Sequence, residues 1–268
     1  HLLAAPDFLG FGNAIEMAGI AEQVTEQVRG EGAGAGGSAR ARALIRAIRM
    51  PSEIERQIRG AYGEMGDDVP VAVRSSATAE DLPEASFAGQ QDTYLNIRGE
   101  EALVDAVQRC WASLWSDRAV RYRVEHGFAH EDVRLAVVVQ AMIESEVAGV
   151  MFTANPVSGR RDETVVNASY GLGESVVSGL VTPDTFVVQP GRGTVRSRDI
   201  GRKEREIVYG DGGTVEERDV ESSRAARASL TDEQVLELTD VGQRIADYYE
   251  APQDVEWALR EGAYYVLQ

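Results

Sequence analysis

The stretch from Val71 to Ile97, VAVRSSATAEDLPEASFAGQQDTYLNI, constrains the fold of this chain more than any other. An apolar run, Val69 to Val73, ends in Arg74 and passes through Ser75, Ser76 and Thr78 to Pro83, then to a second small-residue turn at Ala88 and Gly89. Apolar β-branched residues followed by hydroxyls, proline and glycine predict a strand that gives way to a loop. A guanidinium fork can hold phosphate oxygens bidentately, and hydroxyls and backbone amides add donors without bulk. Ser, Thr and Gly also serve as plain turn formers, and an arginine at a strand end is also an ordinary surface charge. The pattern admits an anion-binding loop or a simple turn.

Charge narrows the choice of ligand. The 268 residues carry 27 Lys plus Arg against 44 Asp plus Glu, a net charge of -17. Such a field repels nucleic-acid phosphates and anionic membranes, so neither is expected as a partner, and an anionic ligand has to be drawn by a local cluster. A polyphosphate carrying Mg²⁺ meets that constraint. The single cysteine, Cys110, excludes an internal disulfide and a multi-thiolate metal site. It lies on the stripe Leu103, Ala106, Val107, Cys110, Trp111, Leu114, the spacing of a buried helix face, and reads as a core thiol. No apolar run approaches a membrane span and His1 opens no recognisable signal peptide, so the expected location is cytoplasmic.

A chain of this length fits one large domain or two lobes. Residues 13 to 29 and 39 to 65 read as helices, the second divided by Pro51, and the Gly/Ala-rich segment Gly30 to Ser38 between them reads as a surface loop. A long helix is expected from about Glu100 to Trp115, extended by Asp117 to His126. From Val133 the pattern turns to strands: Val133 to Ile143, Ala148 to Thr153, Thr164 to Ser169, Thr185 to Gln189 and Thr194 to Arg198. A last helix, Asp232 to Tyr249, opens with the capping-box spacing Thr231 and Gln234 and carries the stripe Val235, Leu238, Val241, Ile245. Mixed helices and mostly antiparallel strands give an α+β fold in two lobes, residues 1 to 140 and 141 to 268.

The segment Pro252 to Gln268 reads as an acidic hairpin. Asp254, Glu256 and Ala258 alternate with Val255, Trp257 and Leu259, a period of two, and Gly262 marks the turn to a second strand, Tyr264 to Gln268. An odd loop centred on Gly262 sets Glu256 opposite Gln268 and packs Trp257 and Leu259 on Leu267 and Tyr265. An even loop puts the acids and Gln268 on opposite faces. The apolar pairing favours the odd loop. A carboxylate beside an amide oxygen suits Mg²⁺, although two acids on a strand also simply solvate an exposed face.

The Val71 to Ile97 string resembles the signature of the pyruvate phosphate dikinase N-terminal domain family, whose members include phosphoenolpyruvate synthase and rifampicin phosphotransferase. The resemblance covers nearly the whole chain. It implies a two-lobed ATP-grasp domain with nucleotide between the lobes, and ATP and Mg²⁺ as cofactors. It assigns Arg74 and the Gly89 turn to the phosphates, and Glu256 and Gln268 to the metal and triphosphate, with Asp254 beside them. Val137-Val138-Val139-Gln140-Ala141-Met142-Ile143 matches the family hinge, which places adenine at Gln140, Met142 and Ile143. Gly149 to Thr153, Gly171-Leu172-Gly173-Glu174 and Pro183-Asp184 also follow the family pattern. Glu174 is then either a support for the ribose or a basic partner, or a structural acid. Lys203 falls where relatives carry a basic pair before a strand, and is either a ligand of the β- and γ-phosphates or a solvated lysine.

The implied chemistry is transfer from ATP to a histidine on a separate swivelling domain, yielding AMP and phosphate overall, then delivery to an acceptor on another domain. Arg74 serves the phosphoryl-transfer step. The family's upstream phosphate-binding lysine and the arginine that follows Gln268 lie outside this chain, and His1, His126 and His130 lack a phosphohistidine context. The chain is therefore expected to be the nucleotide-binding part of a larger phosphotransferase, inactive alone, with the histidine and acceptor domains as partners. Phe-Thr-Ala-Asn-Pro at 152 to 156 and Ser-Gly-Leu-Val at 178 to 181 lean toward a rifamycin acceptor. Pyruvate is the alternative within the family, and a non-catalytic nucleotide-binding module is the alternative outside it.

Overall fold

The computed structural model describes residues 35–77, 92–130, 133 and 135–268. They form two compact units, one ending at Met142 and the other beginning at Ile143. In the first, β1 (Val71–Ala77) lies between β2 (Tyr94–Ile97) and β3 (Leu135–Ala141) in an antiparallel sheet. β1 and β3 pair without a break from Val71 opposite Ala141 to Ala77 opposite Leu135. Strand alternation then sorts the sheet into two faces. Val71, Val73, Val137 and Val139 are buried on one, in a core shared with helices α1 (Ala35–Ala47), α2 (Ser52–Met65), α3 (Glu100–Ser113) and α4 (Asp117–Glu125). The stripe expected on α3, Cys110 included, is buried there.

Two expectations are corrected in this unit. β1 does not stop at Arg74: Ser75 and Ser76 continue it, opposite Val137 and Ala136, because β3 is long enough to satisfy their backbone groups. α1 begins at Ala35, so the end of the Gly/Ala-rich segment is helical, with Gly37 and Ser38 buried. Small side chains there need no apolar face of their own to sit inside a helical core. The helix expected at 13 to 29 and the loop positions Thr78, Pro83, Ala88 and Gly89 lie outside the described residues.

The second unit is built on a six-stranded antiparallel sheet in the order β11-β10-β4-β5-β6-β7, with β4 (Val147–Phe152), β5 (Thr164–Tyr170), β6 (Asp184–Gln189), β7 (Thr194–Asp199), β10 (Asp254–Arg260) and β11 (Ala263–Val266). Short helices α5 (Glu174–Val177) and α6 (Ser222–Ala225) lie in the connections. Helix α7 (Asp232–Tyr249) opens with the capping box expected of Thr231 and Gln234 and buries Val235 and Leu238. Gly242 allows its close approach to the sheet, since a Cβ there would stand 2.4 Å from Met151 Cε. A separate hairpin, β8 (Arg205–Gly210) and β9 (Thr214–Asp219), was not legible as two strands and is fastened by a parallel bridge between Gly171 and Ile207.

Candidate functional site

In the first unit the face of the sheet opposite the valine core carries Ala72, Arg74 and Ser76, which stand opposite Gln140, Val138 and Ala136. Arg74 and Gln140 are thus diagonal neighbours on one face, both half-buried. β3 is an edge of its sheet: β1 occupies one side, and no described strand pairs with the other. Alternate residues of such an edge direct N–H and C=O groups outward, a pattern that matches the donor and acceptor edge of a planar heteroaromatic ring. The ladder continues one step past β3, where Met142 N–H donates to Pro70 O at 2.8 Å. Met142 Sδ in turn accepts the backbone N–H of Asn96 at 2.8 Å. Asn96 is fully buried with φ 55°, a left-handed conformation that asparagine tolerates, so the methionine is anchored on both backbone and sulfur. Ile143, half-buried, opens the second unit, and its carbonyl accepts Ser145 N–H at 2.9 Å.

The acidic hairpin in the second unit reaches its arrangement by a route the sequence did not show. β10 and β11 join through a two-residue turn, Glu261 and Gly262, whose φ values are 50° and 75°. Two positive φ angles define the I′ geometry, whose twist matches that of the flanking strands. The loop is even, which corrects the odd loop expected: Trp257 stands opposite Val266, and Leu259 opposite Tyr264. By parity alone that register would send Gln268 to the face away from Glu256. A β-bulge reverses this. Glu256 O accepts both Leu267 N–H at 2.8 Å and Gln268 N–H at 3.4 Å, while Glu256 N–H donates to Gln268 O at 3.0 Å. Two residues oppose one, the alternation shifts by a residue, and Gln268 regains the face of Glu256.

Val255, Trp257 and Leu259 hold the other face of β10 in the core. Asp254 shares the face of Glu256, and its carboxyl is held above the usual carboxylate range, first by partial burial and then by the charge of Glu256. A cation beside these acids would offset the repulsion between them. Among the described residues no three His, Cys, Asp or Glu side chains form a metal-holding cluster. Two carboxylates and an amide oxygen are, however, the hard-oxygen set that fits Mg²⁺, which fills its remaining positions with water or phosphate oxygens.

Lys203 is not the solvated lysine that the sequence left open. It is 0% exposed, and its Nζ donates to Asp184 Oδ1 at 2.5 Å and to Gly201 O at 2.9 Å. Asp184 appeared in the sequence only as part of a Pro-Asp pattern, and nothing local marks it as the lysine's partner 19 positions away. Glu174 is the first residue of α5, half-buried, and its carbonyl accepts Ser178 Oγ at 2.6 Å. His126 is exposed and stacks on Tyr122 with ring centroids 4.0 Å apart. His130 Nδ1 accepts Arg123 Nε at 2.9 Å.

The α+β architecture, with the edge strand in one unit and the carboxylate and amide hairpin in the other, is that of an ATP-grasp-like nucleotide-binding domain. Residues 10–268 match the model of the pyruvate phosphate dikinase AMP/ATP-binding domain, and the chain belongs to that family. It is 49% identical to the phosphoenolpyruvate synthase of Pyrococcus furiosus, a match covering 85% of this chain and 29% of that protein. It is 43% identical to the rifampicin phosphotransferase of Bacillus subtilis and 45% identical to that of a Streptomyces species, each match covering 85% of this chain and 26% of the relative. The chain thus spans less than a third of the length of these relatives.

Proposed function

We propose that this chain binds Mg²⁺-ATP and is the nucleotide-binding part of a phosphotransferase that passes a phosphoryl group from ATP through a histidine on another domain to an acceptor. The observation that carries the reading is the bulge at Leu267 and Gln268, which gives Gln268 the same face as Glu256 despite the even turn. In this reading Glu256 and Gln268 hold the metal, with Asp254 beside them. Arg74 holds phosphate oxygens and favours charge developing during transfer; Gly89, which the family resemblance assigns to the same phosphates, lies outside the described residues. The outer edge of β3 and the anchored Met142, with Gln140 and Ile143, take the adenine. Mg²⁺ supplies charge neutralisation on the phosphates, and the residues of the chain supply position.

In this reading the transferring histidine lies on another domain, in keeping with His126 stacked on Tyr122 and His130 accepting Arg123 Nε–H. The higher identity to phosphoenolpyruvate synthase favours pyruvate as acceptor, whereas the Phe152 to Pro156 and Ser178 to Val181 motifs favour a rifamycin. Pyruvate is the first reading on the higher identity alone, since the matches to both kinds of relative cover 85% of the chain. Turnover by the full-length protein decides it: release of AMP and phosphate from ATP with pyruvate supports the first reading, and release only with rifampicin supports the second. ATP binding without turnover on either leaves a nucleotide-binding module and overturns the phosphotransferase reading.

A further inference from the structure

We infer that Lys203 and Asp184 form an internal clamp that positions the metal-bearing strand β10 through the Gly171–Gly173 turn, acting on nucleotide binding without touching the nucleotide; this rests on the reading of the site given above. Both side chains are 0% exposed. The lysine ammonium is engaged on Asp184 Oδ1 and Gly201 O and stands 5.6 Å from the ring centroid of Tyr170, whose face attracts cations. The carboxylate is equally engaged. Its Oδ1 also accepts Gly201 N–H at 3.1 Å, and its Oδ2 accepts Ser229 N–H at 2.6 Å and Ser229 Oγ at 2.7 Å. Buried charges persist only where each oxygen and proton is matched in this way, so a lysine withdrawn to bind phosphate would strand Asp184. Gly201 fits the knot because it has no side chain: a Cβ there would lie 2.1 Å from Thr182 O and 2.3 Å from Pro183 O.

From the clamp a series of backbone contacts leads to Glu256. Lys203 stands at the root of β8, and a two-stranded hairpin has little stability of its own, so its anchors set its place. In β8, Ile207 O accepts Leu172 N–H at 2.8 Å beside the bridge to Gly171. Gly171 has φ 74°, and a Cβ on it would fall 2.4 Å from Ile207 O, so the turn and hairpin meet without room to spare. Gly173, next in the turn, lies on β4, where its Cβ would stand 3.6 Å from Ala148 Cβ and 4.0 Å from Gly149 N. Ala148 and Gly149 pair with Ala258 and Trp257 of β10, one step from Glu256 opposite Val150. Three sequence patterns with no evident common purpose, Gly171-Leu172-Gly173, Pro183-Asp184 and Lys203, thereby share one.

The test takes the full chain as wild type, Asp184→Asn, Lys203→Met and the double variant, and measures amide hydrogen exchange and calorimetric binding of Mg²⁺-ATP. The clamp predicts faster exchange at Leu172 and Ser229 in every variant. It also predicts that Asp184→Asn and Lys203→Met each weaken Mg²⁺-ATP about tenfold, as loss of an outer support does at metal sites. The double variant then binds no worse than the weaker single, because one unit is lost once. A lysine bound directly to phosphate gives the opposite sign at 184: removing the acid leaves Mg²⁺-ATP binding unchanged or strengthens it, and that result overturns the clamp, as does unchanged exchange at Leu172. Where a single variant does not fold, the double, which strands neither charge, carries both comparisons against wild type. If the wild type binds no Mg²⁺-ATP, the nucleotide reading falls and the clamp's role with it; if it binds and exchange is unaltered, only the clamp falls.

Discussion

Asp254 reports on the site through its ionisation. Its folded-state carboxyl is raised, by burial first and by Glu256 second, so the folded chain holds the proton more tightly than the unfolded chain. Its stabilising contribution is complete below the unfolded value of about 3.9 and is lost as pH rises through the folded value. Asp254→Asn is therefore expected to raise the stability of the metal-free chain at neutral pH, with the gain vanishing in acid. Chemical denaturation at a series of pH values checks the sign, and a gain that grows in acid contradicts it. Arg74, half-buried on the sheet face away from the valine core, gives a different signature. Arg74→Ala is expected to weaken Mg²⁺-ATP by about 2 kcal/mol, roughly thirtyfold, as loss of charge-assisted hydrogen bonds does, while circular dichroism stays native. Equal affinity in the variant removes Arg74 from the phosphate site.

At the scale of elements, the turn and bulge of the acidic hairpin act together. Gly262 has φ 75°, so Gly262→Val forces a β-branched residue into the left-handed region at a cost of about 1 to 2 kcal/mol. Denaturation is expected to show that loss, and calorimetry weaker Mg²⁺ binding that saturates only at higher metal concentration, because the turn fixes the register of Glu256. Thr231→Ala removes the cap of α7 and is expected to cost about 1 kcal/mol in denaturation with Mg²⁺-ATP affinity unchanged. These two elements also differ in how much of them the sequence disclosed. A capping box is a local pattern, so Thr231 and Gln234 were legible. The bulge is a property of pairing, and Leu267 and Gln268 look like any strand end until Glu256 is placed opposite them. The extension of β1 over Ser75 and Ser76 escaped for the same reason, since their partners lie on β3.

On the scale of the whole molecule, the α+β class and the strands β1, β3 to β7, β10 and β11 followed from the sequence pattern, while β2, β8 and β9 as strands did not, nor did the anchoring of the β8–β9 hairpin. It depends on Asp184 meeting Lys203, a long-range pair between residues whose neighbours in sequence advertise loops. The proposed site rests largely on family resemblance: Arg74, Gln140, Met142, Glu256 and Gln268 stand on a sheet face, an edge and a bulged hairpin to which composition alone assigns no ligand. A chain of net charge -17 also has to overcome its own field to hold a polyphosphate, which makes the metal central to the account. Calorimetric titration of Mg²⁺-ATP into the chain, with Glu256→Ala and metal-free ATP in parallel, tests that most directly. The account predicts binding that requires Mg²⁺ and is lost in Glu256→Ala; binding of equal strength without metal, or in the variant, contradicts it.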